Sequence, residues 1–220
     1  MSRFDRTEQL IGDMTPLSKA SVLLVGVGGV GGYAFETLVR GGIGALTVVD
    51  GDRFEESNLN RQLLALVSTV GRPKVEVAAE RAAQIDPACS VRALPCRFDA
   101  ATCETVFDRH YDYVVDAIDS VADKVLLICE CKRRGIPVVS AMGAGSRLDD
   151  EFSVRDIYET SYDGLAKAMR KRLREAGIDR LKVVCSALPP LSAPGSSVSY
   201  PPAVMGAKLA GEVIRDLLCR

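Results

Sequence analysis

Between Val22 and Lys74 the chain reads VLLVGVGGVGG, then LTVVDGD, then SNLNRQ, and closes on a Pro-Lys pair. An apolar run leads into Gly26-x-Gly28-x-x-Gly31, with Gly29 inside the motif, and a second apolar run ends at Asp50, nineteen residues after Gly31. A strand that turns into a helix through such glycines offers an anion free backbone N–H groups and the positive end of a helix dipole. Gly26 suits the tight turn, Gly28 the close approach of a phosphate, and Gly31 the packing of helix on strand. Asp50, at the end of the second strand, is placed to accept from ribose hydroxyls, with Asp52 beside it in the same nucleotide-binding set. The alternative for Asp50 is a turn residue before Gly51.

Asn58, Arg61, Gln62 and Lys74 decide which nucleotide. The pyrophosphate of a dinucleotide is held largely by backbone and needs no cation pair further along the chain. Activating a carboxylate with ATP needs positive charge on the α-phosphate and on the departing pyrophosphate, which a fixed guanidinium and ammonium supply in a dry pocket. Asn58 and Gln62 add hydrogen bonds to the same phosphates. As a plain polar loop this stretch would be solvated. Its place beyond the carboxyl end of the second strand, where open α/β sheets bind ligands, favours the functional reading and ATP.

A second acidic segment, VVDAIDS, ends another apolar run. Asp119 is read as the carboxylate that holds Mg²⁺ against the phosphates, with waters completing the octahedron, the alternative being a cap for the helix that follows. Ser120 is read as the cap of the helix that follows, in a capping box with Asp123, and Asp116 as structural.

These residues need a frame. A lead-in helix is expected over residues 7–19. Strands are expected over Ser21–Val25, Ala45–Val49, Ser90–Leu94, Tyr113–Asp116 and Pro137–Ser140. Helices are expected from about Gly29 to Gly41, and over Lys74–Ile85, Ala101–Asp108 and Ser120–Arg134. Asp52–Gly71 reads as a functional loop or broken helix. The alternation implies an α/β, Rossmann-like, mostly parallel sheet with helices on both faces. After Gly145 the pattern changes. Residues 146–220 read as a C-terminal extension that adds antiparallel strands to a single ATP-binding, adenylating domain spanning 1–220. Within it, Phe152–Ile157 and Leu181–Cys185 are strands, Asp163–Ala176 a basic helix, Leu188–Pro202 a proline-rich loop and Ala203–Leu218 a closing helix that packs small residues inward.

Composition excludes several classes of function. At 220 residues and 47% hydrophobic the chain can bury a full core. A net charge of −1, from 28 basic and 29 acidic side chains, gives no global field towards nucleic acid or membrane. No run approaches the roughly 20 apolar residues of a membrane helix, and the charged N-terminus lacks a secretory core. A cytoplasmic protein with no membrane partner is expected. The seven cysteines are irregularly spaced and form no Cys-x-x-Cys pair, so neither disulfides nor a structural zinc site is expected.

Taken together, GVGGVGG, the Asp-x-Asp before SNLNRQ, the Pro-Lys pair and DAIDS resemble the ATP-dependent activators that include ubiquitin-activating enzymes and their bacterial relatives. The resemblance covers residues 3 to about 145 densely. It implies an acyl-adenylate reaction with ATP and Mg²⁺, and a homodimer in which Arg6, in RFDRTEQLIG, reaches into the partner's ATP site. DAIDSVADK, IPVVSAMGAGSRLD and the ending GSSVSYPPAVMGAKLAGEVIRDLL are similar to the branch that dehydrates threonylcarbamoyladenosine in tRNA. The alternative is the branch that activates the C-terminus of a ubiquitin-like sulfur carrier, with a cysteine-desulfurase or sulfur-transfer partner. Members of that branch usually carry the two zinc-binding Cys-x-x-Cys pairs that this chain lacks.

Two further features take their meaning from the resemblance. Lys167, Arg170, Lys171, Arg172, Arg174, Arg180 and Lys182 by themselves describe a solvated helix face. With a tRNA substrate implied, they become a contact for its phosphates. Aromatic residues do not interleave with them, so no base stacking is expected along that helix. Cys185 stands in the region where sulfur-carrier activators place a reactive cysteine. It is read as a buried structural thiol, with a reactive thiol as the alternative.

Overall fold

The computed structural model of the protein describes residues 2–191 and 195–219. Runs of four or five residues rich in Val, Leu and Ala suit parallel strands, apolar throughout where both faces are covered and mixed at an edge such as Ser90–Leu94. Five such runs form its parallel body: β1 (Ser21–Val25), β2 (Ala45–Val49), β3 (Ser90–Leu94), β4 (Tyr113–Asp116) and β5 (Val138–Ala141). They are joined in turn by α3 (Gly31–Arg40), α4 (Lys74–Ile85), α5 (Cys103–Val106) and α6 (Val121–Arg134), after two short leading helices, α1 (Asp5–Ile11) and α2 (Thr15–Ser18). Beyond β5 come β6 (Phe152–Asp156), α7 (Gly164–Glu175), β7 (Lys182–Ser186) and α8 (Tyr200–Leu218). The sheet order is β3-β2-β1-β4-β5-β7-β6. The extension therefore adds two strands: β7 runs parallel to β5, and only β6 is antiparallel, against β7.

The period of two along β1 divides the core. Val22 and Leu24 point into the layer built by α3, α4 and α8, while Leu23 and Val25 point into the layer of α5, α6 and α7. The chain winds outward from β1 to β2 and β3, then returns to lay β4 on the other side of β1. At that reversal the connections leave in opposite directions and a crevice opens beyond the strand ends. Gly26 and Asp119 follow the two strands that flank it.

Several boundaries differ from the expected ones, for local reasons. The lead-in helix is broken at Gly12, whose φ of +78° ends α1, and α2 restarts with Pro16 in its first turn. The loop after β2 carries two short 3₁₀ turns, Glu56–Asn58 and Val67–Thr69. The expected Leu188–Pro202 loop is shorter, because Pro201 and Pro202 occupy the first turn of α8, where no N–H is missed. Residues 192–194 of that loop lie outside the described residues.

The extension is part of the core. Met205, Leu209, Ala210, Val213 and Leu217 of α8 are buried. A Cβ on Gly206 would stand 2.3 Å from the Val30 carbonyl oxygen, so glycine is what lets α8 reach the start of α3. Pro202, one turn earlier, reaches the glycine turn itself, 3.4 Å from where a Cβ on Gly29 would be. No helix among the described residues is long and apolar enough to cross a membrane.

Candidate active site

A cleft of about 960 Å³ opens at the carboxyl ends of β1, β2, β4 and β5. Ten of the residues singled out from the sequence line it: Gly26, Gly28, Gly29, Asp50, Asp52, Asn58, Arg61, Gln62, Lys74 and Asp119. Gly31 does not. A Cβ there would overlap the Gly26 carbonyl oxygen at 1.9 Å, so Gly31 closes the turn and does not face a ligand. Arg6 is also outside this chain's cleft, exposed on α1, a helix with no buried residue.

The wall on β1 and β2 is tied together by short contacts. Gly26 sits at φ +94°, and a Cβ would lie 2.6 Å from the Ala117 carbonyl oxygen, so its absence lets the turns after β1 and β4 meet. The Asp50 carboxylate accepts from the Val27 N–H at 2.7 Å and from the Asp52 N–H at 2.8 Å, fixing the glycine turn against the end of β2. That is the turn role held open for it, and each oxygen keeps a lone pair towards the cleft. Asn58 accepts from the Glu55 N–H at 3.1 Å and so shapes the 3₁₀ turn that carries it. Arg61 donates to the Ser57 carbonyl and to Asn60 Oδ1, both at 2.9 Å, and has no carboxylate partner among the described residues. Its aliphatic stem passes 3.5 Å from the Cβ position of Gly29. The Lys74 ammonium is buried and lies 2.9 Å from Asp52, whose side chain is 74% exposed. Asp52 thus aims the lysine at the cleft mouth. Gln62 is buried beside Gly28, and its Oε1 has no partner among the described residues. A buried orphan acceptor is a group that a bound ligand's hydroxyl or amine would satisfy.

On the other side of the crevice, Asp119 is exposed and accepts no hydrogen bond from the described residues. One free carboxylate facing the phosphate pocket fits Mg²⁺, which commonly takes one or two protein carboxylates and completes its shell with phosphates and water. The cap expected of Ser120 is not made. Ser120 occupies the N-cap position of α6, but its side chain forms no capping bond, and Asp123 pairs with Arg97 at 2.6 Å in place of closing a capping box. Asp116 is structural, as expected. Fully buried, it lies 3.0 Å from the Lys124 ammonium and accepts from Ser140 Oγ and the Ile118 N–H.

Lys124 is the residue that sequence reasoning missed. It is fully buried and also donates to the Ile118 carbonyl at 2.9 Å, so it clamps the turn that carries Asp119. A signal was available: Lys124, Leu127, Ile128 and Cys131 are the buried residues of α6, spaced as one apolar stripe with a cation at its head. Arg53, Arg97 and Arg147 also line the cleft and were not anticipated.

The far wall comes from residues 143–147, 162–165, 190 and 195–197. Its links cross long stretches of chain. The Gly143 N–H donates to Asp163 at 2.8 Å, the Asn60 side-chain amide to the Ser197 carbonyl at 3.1 Å, and the buried Arg147 to the carbonyls of Gly143 and Leu188. Ser146 and Tyr162 on this wall hold positive φ values of 60° and 59°. Cys185, on β7, is buried, and burial pushes its thiol up from its ordinary value, so it is no thiolate at neutral pH.

A parallel sheet with a glycine turn, a cation pair and a free carboxylate at its switch point defines a nucleotide-activating fold, and comparison with known proteins gives it a family. Residues 7–215 match the ThiF family, and the chain belongs to it. It is 38% identical over 242 residues to the tRNA threonylcarbamoyladenosine dehydratase of Bacillus subtilis, spanning 99% of this chain and 95% of that one. The crystal structure of the E. coli tRNA N6-threonylcarbamoyladenosine dehydratase in complex with ATP superposes with a TM-score of 0.94 at 34% identity, covering 99% of this chain and 94% of that one. A sulfur carrier protein adenylyltransferase of Thermus thermophilus is 38% identical over 138 residues, 63% of this chain and 50% of its own length.

Proposed function

We propose that this chain is an ATP-dependent tRNA threonylcarbamoyladenosine dehydratase. It adenylates the threonyl carboxylate and cyclises it. The observation that carries this reading is the cleft. It brings together a glycine turn, Arg61, Lys74 and Asp119, the groups an α,β-cleaving ATP reaction would use, and leaves room beside them for an acceptor. Likeness to dehydratases along nearly the whole chain supports the choice of acceptor.

The chemistry follows from charge. A carboxylate is a poor electrophile. Its oxygen attacks the α-phosphorus of ATP, the P–O bond to pyrophosphate breaks, and the acyl group now carries AMP as a leaving group. A nucleophile tethered in the same modified base attacks the acyl carbon, loses its proton and expels AMP. Because both partners belong to one molecule, the ring closes with the advantage of proximity. No covalent bond to the enzyme is required. Arg61 stabilises the charge that builds on the α-phosphate, and Lys74, aimed by Asp52, the charge on pyrophosphate. Asp50 would serve the ribose, the backbone of Gly28 and Gly29 the phosphates, and the orphan Oε1 of Gln62 a ligand hydroxyl. Asp119 would hold Mg²⁺, which neutralises phosphate charge when bound.

Along α7, Lys167, Arg170, Lys171 and Arg174 form a basic hollow suited to tRNA phosphates. Arg6, exposed and with no carboxylate partner among the described residues, is free to enter the cleft of a second copy, which supports a homodimer. The second reading, activation of a sulfur-carrier C-terminus with a sulfur-transfer partner, draws on the shared adenylation wall. The buried Cys185 gives it no accessible thiol. The test is release of AMP and pyrophosphate in equal amounts: tRNA bearing threonylcarbamoyladenosine should elicit it and unmodified tRNA should not. Release elicited only by a protein ending in Gly-Gly would favour the second reading.

A further inference from the structure

We propose that Tyr162 is the platform on which the modified adenine base stacks inside the cleft, and so a specificity-determining residue for the acceptor. The inference rests on the dehydratase reading and adds to it the group that receives the base.

Tyr162 lines the cleft and is 66% exposed, with no hydrogen-bond partner among the described residues. A tyrosine gains little from standing in water. Its backbone sits at φ +59°, a region that non-glycine residues rarely occupy without a functional reason. The neighbours on both sides hold it there. Asp163 is buried, accepting from the Gly143 N–H at 2.8 Å with one oxygen and from the Ala166 N–H at 2.9 Å with the other. Thr160 is buried too, its hydroxyl donating to the Ile157 carbonyl at 2.6 Å while Arg170 donates to the Thr160 carbonyl at 3.0 Å. The ring is therefore presented to the cleft by a turn anchored on both sides.

Its position relative to the basic hollow gives the ligand. That hollow, with Lys167, Arg170, Lys171 and Arg174, begins at Gly164, and Gly164 also lines the cleft. Tyr162 stands two residues before the point where the two concavities meet. A nucleic-acid strand whose phosphates follow α7 has one base to turn into the cleft, and an aromatic face at the junction is the partner a turned-out base needs. The aromatic side chain absent from α7 itself is supplied by the turn that precedes it. Tyr158, the other candidate, is already covered: the Arg174 guanidinium lies 4.9 Å from its ring centroid.

The test uses full-length protein with ATP, Mg²⁺ and tRNA bearing threonylcarbamoyladenosine, reading KM and kcat for each substrate. Tyr162→Ala should raise KM for the tRNA about tenfold, the scale of losing one base–aromatic stack, with KM for ATP unchanged. Tyr162→Phe, which keeps the ring, should stay within about twofold of wild type. Tyr162→Gly should show the alanine defect with an unchanged or raised Tm, because glycine accepts the positive φ. Wild-type turnover with an unchanged tRNA KM in Tyr162→Ala overturns this assignment alone, as does a Tyr162→Phe defect as large as that of alanine. Wild-type protein that leaves the modified nucleoside intact overturns the dehydratase reading and this assignment with it.

Discussion

On the ATP side of the cleft, each functional group is held by its own crossover unit. Asp50 grips Val27 and Asp52, Asn58 caps its own turn, Arg61 leans on Ser57 and Asn60, and Lys74 pairs with Asp52. On the far wall, the side we assign to the acceptor, distant segments meet, Gly143 with Asp163, Arg147 with Leu188, Ser197 with Asn60. The first wall can be carried from protein to protein as a unit, and it serves any carboxylate that needs activating. The second is assembled from the extension, so it can change with the acceptor while the first stays as it is. The likeness to the sulfur carrier protein adenylyltransferase spans 63% of this chain, against 99% for the B. subtilis dehydratase.

The largest expected effect separates chemistry from folding on the ATP wall. Arg61→Ala should cost adenylation about a hundred- to a thousandfold, the loss typical of one preorganised charge at a developing anion. Its Tm should change little, since among the described residues the guanidinium donates only within its own loop. Measurable wild-type activity would remove Arg61 from the site. Across the crevice, beneath the turn that carries Asp119, the opposite outcome is expected. Lys124→Ala leaves Asp116 buried without its counter-ion and should destabilise the fold by about 3–5 kcal/mol, read from chemical denaturation.

On the acceptor wall the effects are smaller and split by substrate. Asp163→Ala removes the N-cap of α7 and the anchor of Gly143, so it should lower stability by about 1 kcal/mol and raise KM for tRNA while KM for ATP holds. Equal rises for both substrates would dissolve the distinction between the walls. Smallest of all, Cys185→Ser should leave turnover close to wild type. In native protein iodoacetamide at neutral pH should label the exposed Cys219 and spare Cys185, whose thiol is buried and shifted upward.

The same contrast governs what could be read from the sequence. β1, β2, α4, β3 and β4 have the expected limits, because a doubly buried strand, the half-covered edge strand β3 and an amphipathic helix each write a pattern into consecutive residues. That the glycine turn, Asp50, Asn58, Arg61, Gln62 and Lys74 would share one cleft was legible for the related reason that their spacing encodes one local unit. The acceptor wall writes nothing local. Ser146 and Tyr162 take positive φ without being glycine, which only tertiary anchors such as Asp163 can impose. The start of α8 hid behind Pro201 and Pro202, which suit a helix's first turn as well as a loop. Lys124 was legible and overlooked, a lysine in register with Leu127, Ile128 and Cys131.

The central claim, that ATP is spent on making the threonyl carboxylate a leaving-group ester of AMP, has a direct isotopic test. The tRNA would carry ¹⁸O in both oxygens of that carboxylate, and AMP and the nucleoside would be analysed by mass spectrometry after one turnover with full-length protein. The account requires one ¹⁸O in the phosphate of AMP and one retained in the cyclised nucleoside. Unlabelled AMP, with the label lost to water or to inorganic phosphate, would contradict it.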